Sequence, residues 1–227
     1  MNFKRLEKIL PAYSIIPLFS VILVNFIVYY GTRPFTQLMF HHTIFTPIDS
    51  LIPFVPEFII IYWIAYVQWC ACYITLSRDS RRLCYSILSA EIAAKLICMI
   101  IFIIYPTTMQ RADITGNDLF SFFTKLTYSF DAPDNLFPSI HCMESWLCFR
   151  GTMKMKHKYK KMFCITSLIF SLLVFASTVF VKQHLFLDIF GGVAAAELGL
   201  LIVRLTKCQR IFEKINLSLK KLAAKKG

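Results

Sequence analysis

Residues 153–161 read MKMKHKYKK, five lysines in nine positions, between apolar stretches at 139–152 and 162–181. The second stretch has no charged residue and is long enough to cross a bilayer as a helix. The first stretch is shorter and contains ionisable residues, so hydropathy alone leaves its position open. Because basic loops of membrane proteins stay in the cytoplasm, the number of spans before this lysine run decides the topology of the chain.

The composition of the whole chain is that of a membrane protein. Of the 227 residues, 57% are hydrophobic and 17% are charged, and the mean hydropathy is +0.59. Soluble domains contain about 45–50% apolar and about 25% charged residues, so a disordered chain is excluded and a soluble enzyme is disfavoured. The net charge is nevertheless +12, which either binds nucleic acid or orients membrane helices.

Six segments are candidates for membrane-spanning helices. Three of them, 13–30, 58–77 and 162–181, contain no charged residue, which is typical of helices in contact with lipid. The third segment along the chain carries Glu91 and Lys95, four residues apart, and we expect them to pair on one helix face. The predicted spans are, in order, about 13–30, 57–77, 83–105, 139–152, 162–181 and 185–206.

The distribution of basic residues favours six spans over five. With six spans and a cytoplasmic N-terminus, eighteen of the 25 Lys and Arg residues lie in cytoplasmic segments. Those segments are 1–12, 78–82, 153–161 and the tail from 207. The four basic residues of the outer loops are Arg33, Arg111, Lys125 and Lys182. Five spans would place the lysine run outside, against the positive-inside rule.

The predicted fold is therefore an all-α bundle of six transmembrane helices, a single domain over 1–227 with both termini cytoplasmic. We expect the first span to remain as an anchor rather than to be cleaved as a signal peptide. The tail 207–227 is typical of a basic amphipathic helix on anionic lipid. The loop 31–56 contains four prolines and is expected to lie along the outer interface. The basic charge thus orients helices, and no nucleic-acid partner is predicted.

Two polar segments at the outer ends of predicted spans are candidates for chemistry, because ionisable groups at membrane depth are costly. One is Pro138-Ser139-Ile140-His141, and the other ends in His184-Leu-Phe-Leu-Asp188. His184 and Asp188 share one helix face, and a carboxylate beside an imidazole fixes its tautomer and stabilises its positive charge. A second histidine nearby could deliver a proton to a leaving group.

These two segments resemble motifs of the type 2 phosphatidic acid phosphatase (PAP2) family, six-span lipid phosphatases related to vanadium haloperoxidases. The Pro-Ser-x-His motif of that family is matched by Pro138, Ser139 and His141. Its next motif is Ser-Arg, five residues, His, three residues, Asp, and the residues that match it are Ser177, His184 and Asp188. The resemblance extends over the whole six-span plan.

The resemblance implies a mechanism without metal or cofactor. His184 would attack phosphorus and form a phosphohistidine, and Asp188 would orient it. His141 would act as general acid and then as general base. Backbone N–H groups at Ser139 would bind phosphate oxygens. We accordingly predict no metal site.

The chain departs from the family pattern in its cations. The motif Arg is replaced by Thr178, and the Lys-x6-Arg-Pro motif is missing from the loop after the third span. The nearest remnant is Arg111, followed by Ala112, while the Arg33-Pro pair lies in another loop. Arg111 and Lys182 are therefore the predicted phosphate-binding cations, since phosphoryl oxygens need fixed donors.

Three further polar residues are candidates for a supporting layer around the histidines. Ser177 and Thr178 belong to the motif region. Glu144 follows His141 by one helical turn and would either tune that imidazole or make a hydrogen bond between helices.

Three functions remain open from the sequence. The first is a membrane lipid phosphatase that hydrolyses a lipid phosphomonoester or pyrophosphate at the extracytoplasmic face of the cell membrane. The second is a lipid phosphotransferase, because Lys-Gln-His without the motif Arg also resembles relatives of the inositol phosphorylceramide synthases. The third is a non-catalytic lipid-binding membrane protein. The residues leave the lipid class and the oligomeric state open.

Overall fold

The computed structural model describes residues 10–224, which form ten α-helices and two short 3-10 helices, with no β-strand in that range. The α-helices are α1 (Ile15–Tyr30), α2 (Arg33–Thr36), α3 (Pro47–Leu51), α4 (Ile59–Asp79), α5 (Arg81–Ile104), α6 (Leu119–Phe130), α7 (Ile140–Thr152), α8 (Lys160–Phe180), α9 (Phe186–Thr206) and α10 (Arg210–Ala224). The 3-10 helices are Ala12–Ser14 and Pro56–Phe58.

Five helical segments are long and apolar enough to cross a membrane. They are Ala12–Thr36, Pro56–Asp79, Arg81–Ile104, Lys160–Phe180 and Phe186–Thr206. They correspond to five of the predicted spans, so the all-helical fold is confirmed, together with five helices that have the length and composition of membrane spans. The third begins two residues earlier than predicted, because the Ser80 side chain caps α5 by accepting a hydrogen bond from the Leu83 N–H at 3.3 Å.

The stretch 139–152, whose position hydropathy alone left open, forms α7, a helix of 13 residues. At 1.5 Å per residue it is about 20 Å long, which is shorter than the roughly 30 Å apolar core of a bilayer. Eight of its residues are buried, and it packs against α4, α5, α8 and α9. It is thus an internal helix of the bundle, and the six-span topology with two cytoplasmic termini stays a prediction.

The charges of α7 are neutralised by neighbouring helices. Glu144 forms an ion pair with Lys95 of α5 at 2.6 Å, and Arg150 forms one with Glu197 of α9 at 2.5 Å. Lys95 also pairs with Glu91 at 2.8 Å, as the four-residue spacing predicted. The two pairs of Lys95 allow ionisable residues to lie inside an apolar bundle, where an isolated charge would be very costly, whereas Arg150 and Glu197 are partly exposed.

Small residues let α9 approach its neighbours closely. Gly192 lies against the backbone carbonyl of Ser139 at the start of α7, and Gly199 lies against the carbonyl of Ala90 in α5. Both glycines are buried. Close backbone contact of this kind is the usual role of small residues between membrane helices, and here it presses the start of α9 onto the start of α7.

Replacing Gly192 with Ala should destabilise the protein by about 1–3 kcal/mol, as overpacking of a tight contact does. A Cβ there would overlap the Ser139 carbonyl and lie 3.0 Å from the Cys142 Cβ. Thermal unfolding of the purified protein in detergent should show a lower Tm. Ala194→Val enlarges an exposed residue of the same helix and should leave Tm unchanged. Equal Tm values for Gly192→Ala and the wild type would contradict this packing.

The loop 31–56 packs over the end of the bundle where α7 and α9 begin. His42 N–H donates to the Pro106 carbonyl at 2.9 Å, and Val55 N–H donates to the Phe180 carbonyl at 3.0 Å. Several of its large apolar side chains are exposed: Phe35, Leu38, Phe40, Phe45 and Leu51. The position of this loop at the outer membrane interface stays a prediction.

The tail helix α10 begins at Arg210, three residues later than predicted. Lys207 adopts a left-handed conformation with φ of 54° and ends α9, so a turn separates the two helices. Phe212 is buried, with its ring 5.8 Å from that of Tyr85. The last predicted tail residues, 225–227, lie outside the described residues, and the role of α10 on anionic lipid stays a prediction.

Candidate active site

The two polar motifs meet at one end of the bundle, at the start of α7 and in the turn between α8 and α9. The N–H of Ser139 donates to the backbone carbonyl of Asp188 at 3.1 Å, which joins the motifs directly. The imidazole rings of His141 and His184 lie 5.9 Å apart between centroids. The two histidines are therefore close enough to act on one phosphoryl group.

Asp188 fixes the orientation of His184. Its carboxylate is fully buried, and Oδ2 lies 3.1 Å from His184 Nδ1. The same oxygen accepts the N–H of Leu185 at 2.8 Å, so Asp188 also caps α9. Because a carboxylate accepts hydrogen bonds, this contact favours the tautomer with the proton on Nδ1, in which Nε2 of the neutral imidazole carries the lone pair.

The turn that carries His184 is held by Thr178. Its carbonyl accepts the N–H groups of Gln183 at 2.9 Å and of His184 at 3.1 Å. Its hydroxyl donates to the Phe175 carbonyl, and Ser177 donates in the same way to the Val174 carbonyl. Ser177 and Thr178 are both fully buried. They thus shape the turn, as a supporting layer would.

Three aromatic residues of α4 hold the ring of His141. The Tyr66 hydroxyl lies 3.1 Å from His141 Nε2, and the Tyr62 ring stacks on the imidazole at 4.4 Å. Trp69 contacts the same ring at 5.4 Å. Sequence reasoning missed these residues, although their i, i+4, i+7 spacing places them on one helix face, because such a pattern is also typical of ordinary core packing.

Ser139 uses its polar groups within the fold. Its N–H, which we expected to bind phosphate, donates instead to the Asp188 carbonyl. Its hydroxyl accepts the N–H of Cys142 at 3.3 Å and caps α7. Ser139 is fully buried, so its direct effect is to position the first turn of α7 beside His184.

Arg111 reaches the site from the loop between α5 and α6. Its guanidinium donates to the Gln183 side-chain oxygen and, at 3.3 Å, to the Tyr128 carbonyl, and it lies 4.4 Å from the Tyr128 ring centroid. Its Nε–H has no hydrogen-bond partner among residues 10–224. Burial lowers the pKa of the Arg111 guanidinium, but arginine remains charged in proteins. A partly buried cation therefore lines the same pocket as His184.

Lys182 also lies in the turn before His184. Its ammonium donates to the backbone carbonyls of Ile52 at 2.6 Å and Asp49 at 3.3 Å, and desolvation lowers its pKa. Lys182, Arg111 and His184 line one pocket of about 320 Å³. Lys182 thus contributes positive charge to this pocket while it holds the outer loop in place.

Two acidic residues and one arginine that contact this region were not among the predicted site residues. Asp49 caps α3 and accepts the N–H of Phe186 at 2.7 Å, which fastens the loop 31–56 to the start of α9. Arg33 pairs with Asp134 at 3.1 Å. The signal for Asp49 is the Thr-Pro-Ile-Asp capping box at 46–49. For the Arg33–Asp134 pair, 101 residues apart, the sequence gives no local signal.

A larger groove of about 760 Å³ leads away from the histidines between α1 and α4. His141 and His184 line one part of it, and Lys95 of α5 lines another. Most of its wall is apolar, with side chains such as Ile22 and Phe26 of α1. His184 therefore lines both the small pocket with the cations and the large apolar groove.

Within residues 10–224, no group of three or more His, Cys, Asp or Glu side chains could hold a metal ion. The expectation that the chemistry needs no metal stays a prediction. Glu144 lines the groove but is paired with Lys95 rather than hydrogen-bonded to His141. It therefore makes the contact between helices that was one of its two expected roles.

Comparison with known families agrees with this geometry. A family model described as the PAP2 superfamily matches residues 80–211, more than half of the chain. The chain belongs to the PAP2 superfamily. Members of the PAP2 superfamily are generally phosphatases. No curated protein and no solved structure matches the chain.

The PAP2 match covers both polar motifs and the helices α5 to α9. It does not include α1 and α4, which form the walls of the large groove and supply Tyr66 beside His141. The reactive histidines thus belong to the PAP2 part of the chain, whereas much of the groove surface lies outside it.

Proposed function

We propose that this PAP2 protein hydrolyses a lipid phosphomonoester or pyrophosphate through a phosphohistidine at His184. The observation that carries the proposal is the orientation of His184 by Asp188, at a point shared by a cationic pocket and an apolar groove. The pocket suits a phosphate and the groove suits the hydrocarbon chains of a lipid. The PAP2 match adds a phosphatase-type superfamily to this geometry.

In the first step, the lone pair of His184 Nε2 attacks phosphorus while the bond from phosphorus to the lipid oxygen breaks. Protonated His141 gives its proton to the leaving oxygen, and Asp188 balances the positive imidazole. In the second step, neutral His141 takes a proton from water, which attacks phosphorus and breaks the P–N bond. Inorganic phosphate leaves, His184 Nε2 regains its lone pair and His141 is again protonated.

The developing charge on the phosphoryl oxygens needs donors that are already in place. Arg111 supplies a partly buried guanidinium in the wall of the pocket. The N–H groups of Ile140 and His141 are at the first turn of α7, where amides lack acceptors within the helix. These donors take the place of the family cations that the sequence lacks.

Arg111→Gln should lower kcat/KM for a lipid phosphate by about 10²-fold, the usual cost of removing one transition-state donor. It should also weaken inhibition by vanadate. Phosphate release from the purified protein measures both effects. The matched control is Lys125→Gln, since Lys125 is an exposed cation of α6 that binds the Gly116 carbonyl. Unchanged vanadate inhibition in Arg111→Gln would contradict a phosphate-binding role.

We further propose that the site opens at the extracytoplasmic face of the cell membrane. With α7 counted as a span, the fourth of six along the chain, the lysine run at 153–161 is cytoplasmic, and the starts of α7 and α9 lie on the opposite side. The exposed apolar residues of the loop 31–56 at that end suit the outer interface. Lipid would reach the histidines sideways through the groove.

A phosphotransferase is the second candidate, because the pocket of about 320 Å³ beside His184 could admit an acceptor alcohol in place of water. The test is a panel of lipid phosphates and pyrophosphates with the purified full chain in detergent, with and without an added alcohol. Release of inorganic phosphate, blocked by vanadate, supports the phosphatase. Transfer of label to the alcohol without phosphate release supports the transferase. Neither product from any lipid supports a non-catalytic lipid-binding protein.

A further inference from the structure

A cleft between α8 and α9 lies on the outside of the bundle, away from the start of α7 where the histidines meet. Both helices pack on α7, but they make little contact with each other. Past its first turn, α7 has three incompletely buried residues, Trp146, Phe149 and Arg150. Their spacing of three and four places them on one face of the helix, and this face forms the floor of the cleft.

Trp146 reaches both walls of the cleft. Its indole N–H donates to Glu197 Oε1 of α9 at 2.6 Å, and its ring centroid lies 6.3 Å from that of Phe175 in α8. The ring centroid of Phe149 lies 5.0 Å away. All three aromatic side chains are partly exposed. The floor therefore offers an apolar surface, open to the outside of the bundle, on which hydrocarbon chains can pack.

An ion pair lies beside this apolar floor. Arg150 Nη1 is 2.5 Å from Glu197 Oε1, and the two side chains are 32% and 38% exposed. Ionisable side chains that face hydrocarbon are costly in a membrane. A guanidinium has five N–H donors, and the bond to Glu197 leaves donors of Arg150 for the oxygens of a lipid.

Two further cations lie at the end of the cleft nearest the lysine run. Lys154 follows Arg150 by four residues, and Arg204 follows Glu197 by two turns on the same face of α9. Both are exposed, and neither forms an ion pair among residues 10–224. Since Arg150 already balances Glu197, the positive charges of Lys154 and Arg204 are in excess.

The surroundings of Lys154 connect the two cations to the ion pair. Partial desolvation lowers the pKa of the Lys154 ammonium, the charges of Arg150 and Arg204 lower it as well, and Glu197 opposes them. Cations from α7, α9 and the turn after α7 therefore influence one another at this end of the cleft. A bound anion would stabilise all three.

We propose that Lys154, Arg204 and Arg150 bind the phosphate and ester oxygens of an anionic phospholipid, whose acyl chains lie on Trp146 and Phe149. Basic pockets between membrane helices suit anionic head groups. The seven residues from 197 to 204 rise about 10 Å, so the cations and the aromatic floor are separated along α9 as a head group and its chains are. The lipid would occupy the leaflet opposite the histidines, as a bound partner rather than a substrate.

A second copy of the chain matches this cleft less well than a lipid does. In a symmetric dimer the same patch meets itself, so the excess positive charge of Lys154 and Arg204 would face an equal charge. An anionic head group carries the opposite charge, and its chains match the apolar floor.

Lipid binding to the purified full chain in detergent tests the site. By native mass spectrometry, phosphatidylglycerol should bind at least about fivefold more tightly than phosphatidylcholine with the same acyl chains. The double variant Lys154→Gln with Arg204→Gln should reduce this ratio to within about twofold. The matched control is Lys156→Gln with Lys158→Gln, which removes the same charge from exposed lysines. The backbone of Lys156 is held at the end of α4, where its N–H donates to Asp79 at 2.9 Å.

Tryptophan fluorescence tests where the acyl chains lie. The chain has three tryptophans, so replacing Trp63 and Trp69 with Phe leaves Trp146 as the reporter. Phosphatidylglycerol with brominated acyl chains should quench its emission, and Lys154→Gln with Arg204→Gln should shift that quenching to higher lipid concentration. Glycerol phosphate, which has the anionic group without the chains, should not compete at the same concentration.

Equal affinity of the wild type for the two lipids would overturn the site. A preference that persists in Lys154→Gln with Arg204→Gln would also overturn it. An equal loss in Lys156→Gln with Lys158→Gln would do the same, because it would show general attraction to a basic surface. A dimer that dissociates in Lys154→Gln with Arg204→Gln, without any lipid preference, would assign the cleft to a second copy of the chain. All of these results are independent of hydrolysis at His184.

Discussion

Replacing His184 with Ala should reduce phosphate release from a lipid phosphate by at least about 10³-fold, because the covalent pathway loses its nucleophile. The imidazole of His184 is the group that Asp188 orients, with its Nδ1 atom 3.1 Å from the carboxylate. A water molecule in the space left by the imidazole would not be activated as a nucleophile in this way. Phosphate release by the purified protein in detergent measures the loss.

The matched control is His157→Ala, since His157 is an exposed histidine in the lysine-rich turn before α8. It should keep wild-type activity. His184→Ala is expected to unfold near the wild-type temperature, because Asp188 still caps α9 through the Leu185 N–H. A well-folded His184→Ala protein with more than a tenth of wild-type activity would refute His184 as the nucleophile.

Replacing His141 with Ala should reduce hydrolysis of an alkyl lipid phosphate by about 10²–10⁴-fold, the usual contribution of general acid–base catalysis. The effect on the first step should depend on the leaving group. A phenol leaves without prior protonation, so an aryl phosphate with a long alkyl chain should still phosphorylate His184. The second step still needs His141 as a base, and it should stall.

The expected signature is a burst of phenol equal to the amount of His141→Ala protein, followed by slow turnover. Tyr66→Phe provides the comparison, because the Tyr66 hydroxyl contacts His141 Nε2 at 3.1 Å and the proposed mechanism assigns it no proton transfer. That variant should show a smaller loss and no burst. Equal losses of His141→Ala with alkyl and aryl phosphates, without a burst, would rule out His141 as the general acid.

The sequence predicted those parts of the fold that depend on local pattern. Long uncharged stretches became helices of spanning length, and the spacing of Glu91 and Lys95 predicted their ion pair. His184 and Asp188 also pair, but His184 lies in the turn before α9 rather than on the helix face that the four-residue spacing predicted. In each case the interacting groups are separated by one helical turn or less, so a short window of sequence contains all the information.

The contacts that the sequence did not predict join distant segments. Tyr66 reaches His141 across 75 residues, and Arg33 reaches Asp134 across 101. Asp49 is connected to α9 from a loop predicted only to lie at the interface. Such contacts depend on which helix faces meet. Hydropathy constrains those faces weakly in a membrane protein, because lipid-facing and buried residues are equally apolar.

Phosphate binding also depends on contacts between segments that are distant in the sequence. The sequence could show that the family cations are missing, and it offered Arg111 and Lys182 as substitutes. Their side-chain partners depend on the folded loops: Gln183 and Tyr128 hold Arg111, and backbone carbonyls of the outer loop hold Lys182. Residue type alone could not distinguish the partly buried guanidinium of Arg111, whose Nε–H has no partner among residues 10–224, from a lysine that fastens a loop.

The most direct test of the central claim is to trap the phosphorylated protein. The purified full chain is mixed with a lipid phosphate that carries a labelled phosphoryl group, quenched rapidly and mapped by mass spectrometry. The account predicts an acid-labile, alkali-stable phosphate on His184 that disappears after a chase with unlabelled lipid and accumulates in His141→Ala with an aryl phosphate. Label on another residue, or phosphate release without any labelled protein, would contradict it.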